Sequence, residues 1–228
     1  MSLALDDEMS RVEGRMLDAV ILAVQGVLVP RLSFQRASID AAATSLAAHG
    51  VPPAEFRRSA MERLATYGAC GLVSRTLADM RWSVSPAAQR GAVLAARAVA
   101  PCHTFAPEVR HAIRALGARR ALGFFDAGPR DVLERLLEAL GLGDLQVTTL
   151  WAESLGREAC AGRPLPFRWL SRRLCLAGSS CLHVATAGPA REAAQRAGWQ
   201  VWPVVAPADG PLDLWPLVDW LDTQDGSE

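Results

Sequence analysis

A chain of 228 residues can form one α/β domain with an inserted segment, or two small domains. Half of it is apolar, enough for a large core, and its 24 basic and 24 acidic residues cancel, which removes any bulk attraction to nucleic acid or to an anionic membrane. Every basic residue is Arg, and Lys is absent, so neither a Schiff base nor a lysine phosphate clamp can form. Asn is absent as well, and the Ala-, Arg- and Gly-rich usage reads as GC-rich, bacterial coding bias. The five cysteines, Cys70, Cys102, Cys160, Cys175 and Cys181, have no framework spacing and read as reduced cytoplasmic thiols. Residues 1–16 are polar and acidic, unlike a secretory leader, and the longest apolar run, 19–30, is broken by Gln25 and too short to span a bilayer.

In chain order, the run from Ala19 to Pro30 reads as a buried parallel strand that ends in a turn at Gly26. Residues 33–100 then read as helix throughout, in segments 33–49, 54–69, 72–82 and 86–100, broken by Gly50, Pro53 and Gly71. A short helix over 108–116 precedes a strand over 121–126, a Gly-Pro turn at 128–129, a helix over 130–140 and a strand over 145–150. The run 173–177 reads as a fourth strand leading into Gly178-Ser179-Ser180. A helix over 189–196, a strand over 201–205 and a short amphipathic helix over 212–221 complete the chain. Alternation of this kind predicts a doubly wound parallel sheet, whose ligands sit beyond the carboxyl ends of the strands.

Four segments, in order, resemble the motifs of the haloacid-dehalogenase-like (HAD) superfamily. Val20 to Leu28 is similar to its first motif, an apolar strand followed by Asp-x-Asp-x-Gly-(Thr/Val)-Leu, and Leu122 to Gly128 to its second, a strand that ends in Thr or Ser. Gly162-Arg163-Pro164-Leu165-Pro166 resembles the third, Gly-Lys-Pro-x-Pro, and Leu176 to Val184 the fourth, which carries acidic residues. The resemblance covers about residues 17–206, and the helical block falls where that family carries a C1-type cap. It implies an HAD-like Rossmannoid three-layer α/β core of residues 1–30 and 101–228, with an all-helical cap of residues 31–100 inserted after the first strand.

The resemblance also places the family's chemistry on particular residues. Its nucleophilic Asp falls on Ala23, whose methyl cannot attack, and its acid/base Asp on Gln25, whose amide cannot exchange a proton near neutral pH. The hydroxyl of the second motif falls on Asp126, the lysine of the third on Arg163, and the acids of the fourth on Ser179 and Val184. Mg2+ needs carboxylate oxygens that Ala23, Ser179 and Val184 do not offer, so no metal and no cofactor is expected. Asp126 and Arg163 read either as a salt bridge that fills an old phosphate site or as part of a ligand pocket. The pocket reading takes in Gln25, Gly26, Asp126, Gly128, Arg163, Ser179 and Ser180.

Cys181-Leu-His183 offers two metal ligands of the four that zinc needs, and reads as chance proximity in a loop; Cys102-His103 reads as hinge sequence. Ser179-Ser180 lacks a nucleophile elbow, and the glycines make no dinucleotide fingerprint. Trp199, Trp202, Trp215 and Trp220 read either as core packing or as an aromatic contact surface. The expectation is a non-catalytic pseudoenzyme that works through a protein partner or as a homo-oligomer, without nucleic acid or membrane. Two alternatives stand beside it: a sensor of a small anionic ligand, and a divergent hydrolase that uses Asp126.

Overall fold

The computed structural model describes residues 17–67, 71–99, 107–126, 130–142, 144–151, 163–205 and 212–225. The first strand, β1 (Ala19–Ala23), is buried at all five positions, as an apolar run at the centre of a parallel sheet must be. Four helices follow it: α1 (Arg31–Ala47), α2 (Pro53–Tyr67), α3 (Leu72–Asp79) and α4 (Pro86–Ala98). They close on a core of their own, with Phe56 and Leu46 fully buried among Ile39, Leu64, Leu77 and Ala92. Pro86 opens α4, and the Ser85 hydroxyl caps it by accepting from the Ala88 amide at 3.1 Å.

The remaining elements are α5 (Pro107–Arg119), β2 (Ala121–Asp126), α6 (Arg130–Ala139), β3 (Val147–Trp151), α7 (Leu165–Leu174), a 3-10 turn (Gly178–Ser180), β4 (Cys181–Thr186), α8 (Pro189–Arg196), β5 (Gln200–Val204) and α9 (Trp215–Asp225). The five strands run in the order β3-β2-β1-β4-β5, every neighbouring pair parallel. Strand alternation divides the core between the two faces. Val20, Leu22, Phe124, Leu182 and Val184 pack with Ile113 and Leu116 of α5, Leu133 and Leu136 of α6, and Leu217 and Leu221 of α9. Ala19, Ile21, Phe125, Leu150 and Cys181 pack on the other face with Phe167 and Leu170 of α7, Ala193 and Ala194 of α8, and Trp199. The result is the expected HAD-like three-layer α/β domain, with the helical cap inserted between β1 and β2.

The sequence reading errs most between 163 and 186. Residues 173–177 are not a strand. Arg173 and Leu174 end α7, and Cys175 closes it in the left-handed conformation at φ 56°, with its amide on the Arg172 carbonyl and the Leu176 amide on that of Ser171. The fourth strand lies after the Gly-Ser-Ser turn, where Cys181-Leu-His183 had read as a loop. No helix among the described residues is long and apolar enough to cross a membrane.

Candidate active site

The sheet order reverses between β1 and β4, so the crevice that such a sheet offers opens at their carboxyl ends. β1 ends at Ala23, which pairs with Phe125, so Asp126 lies one residue further along β2. Asp126 is only 3% exposed. A carboxylate is not kept there without hydrogen-bond donors, and Gln25 supplies one: its Nε2 donates to Asp126 Oδ1 at 3.0 Å. Gln25 Oε1 in turn accepts from Gln35 Nε2 at 3.1 Å. Gln35 is a buried residue of α1, so a line of side chains runs from the cap through Gln25 to the carboxylate on the sheet.

The chain after β1 turns tightly. The Gly26 amide donates to Val29 O at 2.7 Å, and the Leu28 and Val29 amides both return to Val24 O. Gly26 itself takes φ +93°, and a Cβ on it would stand 3.0 Å from Thr186 Oγ1. Thr186, the last residue of β4, therefore faces the turn after β1. A far side of the cap also touches the core: Arg97 of α4 pairs with Asp131 of α6 at 3.9 Å, and Arg135 donates to the Arg97 carbonyl.

The structure brings Gln25, Gly26 and Asp126 together and places Ser179, Ser180 and Val184 elsewhere. Ser179 and Ser180 lie at the opposite, amino-terminal end of the sheet: the Ser180 carbonyl accepts from Asp18 N just before β1, and that of Ser179 from Gln200 Nε2 at the start of β5. Gly178 is needed for packing there, since a Cβ would stand 3.0 Å from Ala197 O. Val184 is fully buried within β4, paired with Leu22 and Trp202, and faces the core. The carboxyl end of β4 is instead Thr186-Ala187-Gly188, two residues beyond Val184. The Gly26 amide is already committed to Val29, so it is not a ligand donor. Arg163 is exposed just before Pro164 caps α7. Gly128, Cys102 and His103 lie outside the described residues.

The sequence pattern missed Gln35 and Thr186. Gln35 is one polar residue in a helix with apolar spacing, and only the fold shows that its face points down at Gln25. Thr186 became visible as a site residue only once β4 was placed at 181–186.

Cys181 and His183 point to one face of β4 and are buried, so they are core residues. Burial pushes the Cys181 thiol up to about 11, partly opposed by a hydrogen bond with Ser171. His183 stacks edge-on to Phe125 and Phe167. Burial lowers its pKa to about 4, against a hydrogen bond with Ile21 that raises it. Of the clustered tryptophans, Trp199 packs on Phe167 and donates to Ser171, Trp202 packs on Trp220, and Trp215 is the exposed one.

The Mg2+ that the fold family suggests does not suit these residues. The ends of β1 and β4 offer Ala23, Thr186 and Ala187, none a carboxylate, beside the single Asp126 of β2, and among the described residues no group of three His, Cys, Asp or Glu side chains could hold a metal ion.

No protein-family model matches the sequence, and no curated protein matches it. Solved structures do share the fold. A 2-haloacid dehalogenase from Pseudomonas syringae pv. tomato DC3000 is 21% identical, with 91% of this chain and 99% of that one covered at a TM-score of 0.60. A predicted phosphoglycolate phosphatase from Haemophilus somnus is 19% identical over 86% and 89%, at 0.64. CbbY from Rhodobacter sphaeroides, in complex with xylulose-1,5-bisphosphate, is 21% identical over 87% and 94%, also at 0.64. The fold is therefore that of the HAD superfamily, with its helical cap.

These matches correct the expected function. The missing motif residues had suggested a non-catalytic pseudoenzyme. The structures that share the fold are of a dehalogenase and a phosphatase, and nothing in them points to a non-catalytic role.

Proposed function

We infer that the chain is a divergent HAD-type hydrolase in which Asp126 supplies the working carboxylate. The observation that carries this reading is the burial of Asp126 at the carboxyl end of β2, held by the Gln25 amide, which accepts in turn from Gln35 of the cap. A carboxylate taken out of water and oriented by a hydrogen-bond donor is the kind of group that attacks a substrate or activates a water. That a 2-haloacid dehalogenase and a predicted phosphatase share the fold supports hydrolysis as the reaction class. A core of residues 1–30 and 101–228 under a cap of residues 31–100, in a cytoplasmic protein that handles a small anionic ligand, belongs to the same reading.

Asp126 approaches from β2, one strand away from the β1 position of the family's nucleophile, so its target bond lies on a different line from that in relatives with an Asp at the Ala23 position. No step is assigned to a metal, because the described residues bring no ligand set for one.

The test is a hydrolase panel of phosphomonoesters and 2-haloacids, run on the wild type and Asp126→Asn. Turnover that falls at least about a hundredfold in the variant is expected. Turnover that survives Asp126→Asn unchanged, or a panel with no turnover at all, overturns the reading. With a 2-haloacid as substrate, a single turnover in 18O-water then separates the two roles of the carboxylate. Label entering the Asp126 side chain marks a covalent ester hydrolysed at its carbonyl carbon, whereas label in the product alone marks an activated water.

A further inference from the structure

Gln35 donates to Gln25 Oε1 at 3.1 Å, and Gln25 Nε2 donates to Asp126 Oδ1 at 3.0 Å. An amide has one donor end and one acceptor end. With its oxygen occupied by Gln35, Gln25 has its NH2 end left for the carboxylate. Gln35 is 7% exposed, so bulk water does not readily replace it. It belongs to α1, whose Ile39, Ala42, Ala43 and Leu46 are anchored in the cap core. Gln25 lies in the tight turn after β1, which is tied by the Gly26, Leu28 and Val29 amides. The two amides therefore sit on two separately braced elements, and their hydrogen bond joins them one step from Asp126.

The geometry points to Gln35 as a positioning residue: from the cap, it fixes the orientation of the Gln25 amide against Asp126. The assignment deepens the hydrolase reading and rests on it for its purpose, while the hydrogen-bond order can be tested without activity. Seating of the cap and presentation of the carboxylate become one event. When α1 moves away, Gln25 loses the partner on its oxygen and is free to swing from Asp126.

The experiment compares the full-length chain with Gln35→Met and Gln35→Glu. Met keeps the volume and removes the donor. Glu keeps the shape but offers only acceptors, so it competes with Asp126 for the Gln25 NH2. The readout is the side-chain amide signal of Gln25 in 15N–1H spectra, assigned by its loss in Gln25→Leu. In Gln35→Met the Gln25 amide protons are expected to exchange with solvent roughly tenfold faster, the size of one lost hydrogen bond. In Gln35→Glu their chemical shifts are expected to move as the amide turns. With a substrate from the hydrolase panel, kcat falls in both variants while KM holds, which loss of a merely structural contact would not produce. Unchanged Gln25 signals in both variants overturn the proposal. If one variant does not fold, the other decides by the same signal. A wild type without turnover overturns the hydrolase reading and leaves the amide measurement to judge the positioning.

Discussion

His183 Nδ1 lies 3.1 Å from the carbonyl of Ile21, the residue paired with it across β1 and β4. The contact makes Nδ1 the protonated nitrogen and leaves Nε2 buried with no hydrogen-bond partner among the described residues. The ring is completely buried against Phe125 and Phe167, so its charged form is disfavoured and its pKa falls from 6.5 to about 4. Between those values the unfolded chain holds a proton that the folded one refuses, so stability rises with pH. The contribution is fully present above about pH 6.5 and is lost as pH falls toward 4, at up to about 1.4 kcal/mol per pH unit. Urea unfolding across this range should show that slope, and His183→Phe, which keeps the aromatic packing, should flatten it. An equal slope in the variant would assign the pH dependence to other groups.

Gly26 gives a second prediction. Its φ of +93° is costly for any residue with a side chain, and a Cβ there would press on the Thr186 hydroxyl at 3.0 Å and its methyl at 3.1 Å. Gly26→Ala should cost about 1–3 kcal/mol in denaturant unfolding. Thr186→Ala in the same chain should return part of that loss by clearing the contact, leaving the backbone strain. Additive effects in the double-mutant cycle would show that the two residues do not meet.

The parts of the fold that could be read from the chain are those in which local pattern and tertiary position agree. AVILA at 19–23 has one interpretation, a buried strand, and the cap helices carry their own breaks at Gly50, Pro53 and Gly71. The error at 173–186 has a physical origin. Arg173-Leu-Cys-Leu-Ala is a short apolar run that periodicity alone cannot assign, and only the left-handed Cys175 reveals the helix end. In Cys181-Leu-His183, a histidine and a cysteine hid a strand, because the His183 polarity is met by a neighbouring strand's carbonyl. That shift carried Ser179, Ser180 and Val184 into the expected site, when the first two lie at the other end of the sheet. Asp126 and Gln25 were legible as neighbours because one ends and the other follows a well-read strand, whereas Gln35 required knowledge of which cap face meets the core.

Cysteine reactivity offers a check on the same stretch. Cys175 is exposed at the end of α7, while Cys181 is buried, hydrogen-bonded to Ala177 O at 3.4 Å, with its thiol pushed up to about 11. A thiolate-directed reagent near pH 7.5 should label Cys175 in the folded protein and reach Cys181 only on unfolding. Peptide mapping by mass spectrometry separates the two. Labelling of Cys181 at the rate of Cys175 would place residues 181–186 at the surface instead of in β4.

The last prediction concerns Ala23, the position of the family's missing carboxylate. Ala23 is 8% exposed and pairs with Phe125, so Ala23→Asp would bury a second carboxylate one residue from the level of Asp126. Two acids so placed resist joint ionisation, and Gln25 Nε2 already donates to Asp126. A loss of about 1–3 kcal/mol is expected at neutral pH, shrinking as the pH is lowered and one acid takes a proton. The substitution should not create Mg2+-dependent phosphatase activity, because Thr186 and Ala187 still offer no carboxylate at the end of β4. Phosphatase assays with and without Mg2+, alongside urea unfolding, measure both effects. Metal-dependent turnover in Ala23→Asp would mean that a ligand set exists at the strand ends after all.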